Sequence, residues 1–383
     1  MSNNYAGLRS TFRRDKAAGK RCAERLIAMR KTLAPLRKRS TKNSLLLATW
    51  NIRDFDSNKF GYGPRLPETY YYLAEIASCF DLIAVQEVNR DLSALETLVR
   101  ILGREWDYIA TDATEGAAGN DERMAFLFRR DKIWFRKIAG EVVLPEGQLV
   151  VSPKTVKPPK DKPDAAPVTT EIRQQFARTP FLVAFQSGWF RFSLCTVHIY
   201  YGKDSGEQLK KRIAEIERLM AFFAGRQDRE AKVQAEGKAA AENYILLGDF
   251  NVVSPEHKTM AALKSNGFEV PAAIDGRKVR ATDKDHFYDQ IAVRVKDPRF
   301  KVLGGGMIDM FADVFRDNAG DRKLYAPFMP QEDPETDPRY AVKTPDALYR
   351  KWRTWQMSDH APLWIEIDTD FADDYLSGLA AES

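Results

Sequence analysis

Six apolar, strand-length runs in this chain each meet a polar side chain at one end, and few folds can use that pattern. Leu45-Leu46-Leu47-Ala48-Thr49-Trp50 leads into Asn51, and Asp81-Leu82-Ile83-Ala84-Val85-Gln86 leads into Glu87. Phe190 through Val197 runs into His198, and Tyr244-Ile245-Leu246-Leu247 runs through Gly248 into Asp249-Phe250-Asn251. Asp289 opens the run Gln290-Ile291-Ala292-Val293, and Ser358-Asp359-His360 precedes Ala361-Pro362-Leu363-Trp364-Ile365. Strands that end this way line one rim of a sheet with carboxylates, carboxamides and imidazoles. Such a set can hold a hard divalent cation, activate water and cradle a phosphate.

Each terminus has a chemical use and a plainer one. A carboxylate buried alone at Glu87 is costly; a divalent cation or a lysine would relieve it. Asp249 and Asn251 alternate at a strand end and so point to one side. One can take a proton from water while the other donates an amide hydrogen to a phosphate oxygen. The same tetrapeptide can also close its strand as an Asx-turn. Asp359 and His360 are adjacent, so their side chains diverge. His360 therefore needs a different carboxylate to fix its tautomer, and Asp289 is the candidate. Arg178, in Ala177-Arg178-Thr179-Pro180, suits a phosphate clamp because guanidinium matches phosphate bidentately; a salt bridge is the competing use. His257 and His286 lie in polar surroundings away from strand ends and read as incidental.

At this point the chain resembles the endonuclease/exonuclease/phosphatase superfamily, over roughly Ser44 to Asp368. The resemblance is carried, in order, by Gln86-Glu87, Gly248-Asp249-Phe250-Asn251, Tyr288-Asp289-Gln290-Ile291 and Ser358-Asp359-His360. Glu122-Arg123, the segment around Arg178 and a histidine at 198 lean toward the deoxyribonuclease I-like branch. The implied fold is α+β, a two-sheet β-sandwich flanked by helices in four layers. The implied activity is metal-dependent phosphodiester hydrolysis by in-line attack of water, as an endonuclease on DNA or RNA. Action on a phosphoinositide or sphingolipid headgroup is the alternative. The resemblance makes Glu87 the principal ligand of Mg²⁺ or Mn²⁺, with Asp359 near the same ion. It makes Asn51 a phosphate contact, Glu122 the carboxylate that orients His198, and His198, Asp249, Asn251, Asp289 and His360 the reacting set. Two positions depart from it. Arg53 stands where some relatives carry an acidic ligand, which points to one strongly held metal. Asn89 stands where the secreted enzyme has a basic groove-binding residue.

Charge separates the chain into two parts. Residues 1–43 hold thirteen Lys and Arg against Asp15 and Glu24, so this arm carries +11 and the remaining 340 residues −6. A basic arm on an acidic body suits a polyanion: nucleic acid, or an anionic membrane surface. The arm also has an apolar stripe at helical spacing, Cys22, Leu26, Met29 and Leu33, able to pack on the body. No window is apolar and long enough to span a membrane, and no secretory leader is expected. Three cysteines fit a reducing, cytoplasmic setting. The expected layout is a helical arm over 1–43, broken near Ala34-Pro35, a catalytic domain over 44–370, and a tail over 371–383. Within the domain, 145–172 is an exposed Pro/Lys-rich loop. Met124 to Phe128 and Ile133 to Val143 read as neighbouring strands, and 303–350 as an irregular excursion.

Overall fold

Strand β1 (Ser44–Phe55) sends alternate residues into two different cores. Leu45 and Leu47 join one, and Leu46, Ala48, Trp50 and Ile52 join the other. Period-two alternation with both faces apolar places β1 in a sheet covered on both sides. The structure, a computed structural model, describes residues 3–57, 61–113, 121–156, 158, 166–235, 241–276, 279–281, 284–330 and 344–381.

The other strands are β2 (Leu82–Val88), β3 (Trp106–Ala110), β4 (Arg123–Arg129), β5 (Trp134–Glu141), β6 (Val150–Val156), β7 (Val168–Gln174), β8 (Phe181–Ser187), β9 (Phe190–His198), β10 (Tyr244–Asp249), β11 (Val279–Ala281), β12 (Lys284–His286), β13 (Asp289–Arg294), β14 (Val302–Met307) and β15 (Leu363–Asp368). The helices are α1 (Leu8–Thr11), α2 (Lys16–Arg37), α3 (Pro67–Ala77), α4 (Ser93–Leu102), α5 (Gly206–Ala235), α6 (Lys258–Leu263), α7 (Ala319–Tyr325), α8 (Pro345–Gln356) and α9 (Ala372–Ala381).

One sheet has six strands in the order β14-β15-β1-β2-β4-β3, and the second has five in the order β13-β10-β9-β8-β5. Each has one parallel pair at its centre, β1 with β2 and β9 with β10. The sheets meet through aromatic side chains. The Phe126 ring of β4 stacks on Phe181 of β8 at 5.5 Å and meets Phe185 edge-on at 5.6 Å. Helices α2, α3, α4 and α8 cover the outer face of the six-stranded sheet. Helix α5 covers the five-stranded sheet through Ile216, Leu219, Met220 and Phe223, whose ring lies 5.1 Å from Tyr244. The expected two-sheet sandwich between helical layers is the fold observed.

Local chemistry moves several boundaries. The arm breaks near residue 13, not at Pro35: the Asp15 side chain accepts from Ala18 N at 2.9 Å and starts α2, which then runs through Pro35 to Arg37. A proline that close to the C-terminus removes one hydrogen bond just before the helix ends anyway. Cys22, Leu26, Met29 and Leu33 are buried in the helix-side core. Several of the arm's cations are tied to the body: Arg21 to Glu68 at 2.7 Å, Arg25 to Asp321 at 2.6 Å and Arg37 to Glu75 at 2.5 Å.

Segments β4 and β5 are not neighbours, because the turn between them crosses from one sheet to the other. The 145–172 segment pairs Val150–Val156 with Val168–Gln174 as an antiparallel ribbon, β-branched residues outnumbering prolines in it; residues 157 and 159–165 lie outside the description. Part of the 303–350 excursion is regular. Its Gly304-Gly305-Gly306 run forms β14 against β15, where a Cβ at Gly305 would come within 2.8 Å of Ile274 and 3.0 Å of Trp364 O. Residues 331–343 of that stretch lie outside the description. The 371–383 tail holds α9.

Candidate active site

Register places three candidates in one row across the five-stranded sheet. Asp249 at the end of β10 lies opposite Asp289 on β13 and beside His198 on β9. Gly248, one residue earlier, has φ +138°, and a Cβ there would sit 2.1 Å from Val197 O. Only glycine lets β10 approach β9 this closely while presenting Asp249 at the rim. On the facing sheet, Asn51 of β1 pairs in register with Gln86 of β2. Gln86 itself is a strut: it donates to Thr196 Oγ1 at 2.8 Å, joining the two sheets just beneath the rim.

Both strands of the first sheet lose regularity there. Register shifts occur between Asn51 and Phe55 and between Val85 and Val88. Asp54 (φ 43°), Glu87 (φ 58°) and Asn251 (φ 51°) all take left-handed backbone, which disfavours side chains. These kinks turn the polar groups into a shared cleft of about 280 Å³ lined by Asp54, Glu87, Glu122, Arg178, His198 and Asp249, together with Asn251, Tyr201, Tyr288, Asp359 and His360. Ser358 braces the approach to His360: it donates to Asn51 O at 2.6 Å and accepts from His360 N at 3.0 Å.

Asp249 Oδ2 is the centre of the arrangement. It accepts from Asn51 Nδ2 at 3.2 Å and lies 3.7 Å from His198 Nε2 and 3.9 Å from His360 Nε2. Its other oxygen accepts from Asn251 N at 2.9 Å, so the Asx-turn is present and leaves Oδ2 facing the cleft. Asn251 uses one amide hydrogen on Ile199 O at 2.8 Å.

The outer nitrogen of each imidazole has a carboxylate partner. His360 Nδ1 is 2.5 Å from Asp289 Oδ2, and His198 Nδ1 is 3.1 Å from Glu122 Oε2. Burial opposes charge on both rings, but the paired carboxylates outweigh it, raising His198 and carrying His360 well above the ordinary imidazole range. Burial likewise pushes the Asp289 carboxyl up, against the His360 ring that draws it down, so the pair competes for one proton at a short contact. Burial works against the charge on Glu122, and His198 and Arg178 overcome it, so its carboxyl lies below the usual range.

Arg178 reaches the cleft but is occupied. Its Nε is bonded to Glu122 Oε1 and its Nη1 approaches His198 O at 3.5 Å. The guanidinium thus holds the Glu122-His198 pair, the salt-bridge use, in a buried rather than surface setting. Asp359 lines the cleft 3.6 Å from Arg53 Nε. His257 caps α6 by accepting from Thr259 N, and the side chain of His286 lies outside the description. Cys22 and Cys79 are buried with thiols pushed up to about 12 and about 11, and Cys195 is buried and raised too, so no thiolate serves this cleft.

Asp54, Tyr201 and Tyr288, the last within a motif that the sequence does show, line the cleft without having been expected as site residues. Asp54 follows Arg53, which departs from the family pattern, and its N–H donates to Glu87 Oε2 at 2.9 Å. An aspartate beside the expected position was the available signal, and the bulge that brings it inward has none.

The donors fit a hard cation. Among the described residues, Asn51 Oδ1 is buried without a hydrogen-bond partner, while its amide nitrogen donates to Glu87 Oε1 at 2.9 Å. Such an orphaned oxygen beside a carboxylate is a natural cation ligand. Glu87, Glu122 and His198 also offer atoms within 4.8 Å of one another. Both oxygens of Glu122 are held by the Arg178 and His198 side chains, whereas among the described residues those of Glu87 accept only from neutral N–H groups, of Asn51 and Asp54, so Glu87 and Asn51 are the better ligands.

No family model matches the chain, and no curated protein matches it in sequence. Solved structures do match. An endonuclease/exonuclease/phosphatase family protein from Bacteroides thetaiotaomicron is 19% identical, covers 85% of this chain and 98% of its own, and gives a TM-score of 0.47. A mannosyl-6-phosphatase from the same organism is also 19% identical, with 84% and 99% covered and a TM-score of 0.47. D. rerio TDP2, solved with a single-strand DNA product, is 13% identical, with 85% and 99% covered and a TM-score of 0.46. This chain is similar to these structures, and its own geometry is two packed sheets with helical layers outside them and a polar cleft at the strand ends.

Proposed function

We propose that this chain is a divalent-metal-dependent phosphodiester hydrolase whose substrate is nucleic acid. The observation that carries the reading is Asp249 Oδ2, 3.7 and 3.9 Å from two imidazole nitrogens whose far sides are each tied to a carboxylate. One base flanked by two cationic donors suits in-line attack on phosphorus.

In this reading Asp249 aligns water and takes its proton. His198, held by Glu122, donates Nε2–H toward a phosphoryl oxygen. His360, kept cationic by Asp289, stabilises the developing charge or protonates the leaving oxygen. Asn251 offers its remaining amide hydrogen to the phosphate. Glu87 and Asn51, with Asp359 on the same cleft, would hold Mg²⁺ or Mn²⁺. When bound, that ion supplies Lewis-acid neutralisation of phosphate charge. Charge balance supports the need for it. Asp54, Glu87, Glu122, Asp249, Asp289 and Asp359 outnumber His198, His360, Arg178 and Arg53, so a polyanion meets a net negative rim unless a cation is added.

Purified protein is assayed against plasmid, single-stranded DNA, RNA and phosphoinositides, with Mg²⁺ and with EDTA, beside His360→Ala to exclude a contaminant. Metal-dependent cleavage of nucleic acid that disappears in His360→Ala is expected. Cleavage that persists in EDTA, or hydrolysis confined to the phosphoinositides, refutes the reading.

A further inference from the structure

Tyr201 holds its ring in solvent at the mouth of the cleft. It is 60% exposed, while the neighbouring Ile199 is buried. Isolated exposed aromatics are common and need no explanation. This one differs because the loop beneath it is built. The wholly buried Arg212 of α5 donates to Tyr200 O and Gly202 O, on either side of Tyr201, and to Asn251 O at 3.2 Å. Glu215, also on α5 and buried, accepts from Tyr200 N at 3.2 Å and from Ala177 N at 2.7 Å. Backbone groups on both sides of Tyr201 are therefore fixed by buried side chains of one helix. The backbone that carries the exposed ring is held in place.

The ring also connects to the chemistry. Tyr201 meets Tyr288 edge-on at 6.3 Å, and Tyr288 lies tilted against the His360 imidazole at 5.9 Å. An aromatic path thus leads from the solvent-facing ring to the nitrogen 3.9 Å from Asp249. The Arg212 guanidinium sits 5.9 Å from the Tyr201 ring centroid. Tyr201 and Asp249 line the same cleft, so a planar group carried next to a phosphate bound there has this ring in reach.

We infer that Tyr201 is a base-stacking subsite, and that it selects unpaired nucleotides flanking the scissile phosphate. The inference rests on the nucleic-acid reading of the same cleft. Stacking on a fixed aromatic is sequence-tolerant because every base has a π-face. A duplex keeps its bases stacked on one another and offers none to the ring, so the subsite favours single strands.

The test uses two single-stranded oligonucleotides, identical except that one has an abasic residue next to the cleaved linkage. Wild type, Tyr201→Ala, Tyr201→Trp and the surface control Trp134→Ala, a tryptophan 68% exposed on β5, are compared in KM and kcat with Mg²⁺. Binding of the same oligonucleotides is measured in EDTA. Tyr201→Ala is expected to weaken binding of the intact strand roughly 5- to 150-fold, the equivalent of losing one stacked base. It should leave the abasic strand nearly unchanged. Tyr201→Trp should retain affinity, and Trp134→Ala should match wild type on both strands. If wild type cleaves oligonucleotides but Tyr201→Ala loses nothing, or loses equally on both strands, the subsite is refuted and the nuclease reading stands. If wild type cleaves no oligonucleotide, both fall together.

Discussion

Replacing Asp289 with asparagine removes the charge that keeps His360 protonated, without changing side-chain size. Asp289 is fully buried; its Oδ2 is 2.5 Å from His360 Nδ1, and its Oδ1 has no partner among the described residues. Nearly all of its stabilising interaction is therefore with that ring. A hydrogen bond to a charged group is worth about 2 kcal/mol, and one pKa unit is about 1.4 kcal/mol. The imidazole pKa should fall by roughly 1–2 units in Asp289→Asn. Because the folded pKa is raised, the cation is present below it and lost as pH climbs through it. The alkaline limb of kcat should accordingly move to lower pH. Its stabilising share, complete below the unfolded imidazole value of about 6.5, should shrink over the same window. The asparagine can also select the wrong tautomer, so kcat near neutrality should drop by about 10²–10⁴. Initial rates on single-stranded DNA from pH 5 to 9 at saturating Mg²⁺ measure the first effect, and melting temperature against pH measures the second. The doubly substituted His360→Ala/Asp289→Ala protein should lose little more than His360→Ala alone, as expected for groups acting as a unit. An unmoved alkaline limb, or strict additivity of the two losses in log kcat, would refute the pairing.

Glu87→Gln should lower activity at least ~10²-fold and be partly rescued by raising Mg²⁺, since it removes one charge from a hard-cation site; a metal titration of the variant reads this, and indifference to metal concentration tells against Glu87. Gly248→Ala forces a Cβ against Val197 O, so denaturant unfolding should show a loss of about 2–4 kcal/mol, with no effect on stability as the contrary result. Leu26→Ala should cost about 2–4 kcal/mol because the stripe of α2 is buried in the helix-side core; a neutral effect would mean the arm is dispensable to the fold. Exchanging the exposed Arg13, Arg14, Lys16, Lys31 and Lys42 for glutamine should weaken binding of single-stranded DNA and flatten its salt dependence by about 0.7 for each phosphate no longer neutralised, with kcat intact; an unchanged slope would assign the arm to packing alone.

The rim was legible because its chemistry is concentrated at strand ends. An apolar run that stops at a carboxylate or imidazole announces both a strand and the place where the chain leaves the core, and the structure sets three such ends, Asp289, Asp249 and His198, in one row. The arm's stripe was legible for the same reason, as a period of 3.6 with nothing to mask it. What the sequence concealed was relational. Nothing in Arg129-Arg130-Asp131-Lys132 says that the turn crosses between sheets. Gly304-Gly305-Gly306 reads as loop because glycine lacks strand propensity, yet the close approach of Ile274 and Trp364 requires it. Arg178 illustrates a further limit: sequence offers a guanidinium suited to a phosphate, and only packing shows that Glu122 already holds it.

Strain explains why the site could not be placed more finely. Seven non-glycine residues among those described have positive φ, and three of them, Asp54, Glu87 and Asn251, line one cleft. An ideal strand points alternate side chains to opposite faces, so Glu87 beside the strut Gln86 could not face the cleft while Gln86 spans the sheets unless the backbone turned between them and beyond. The register shifts supply that turn. Each left-handed residue costs about 1–3 kcal/mol, and the surroundings that offset the cost are themselves polar: Asp54 N on Glu87, Asn51 on Glu87 and Asp249, Asn251 N on Asp249. The groups that would do the chemistry are thus also the groups that hold the distorted backbone in place. Removing one carboxylate should therefore lower activity and relax the bulge together, and a cation at Glu87 and Asn51 would tighten both.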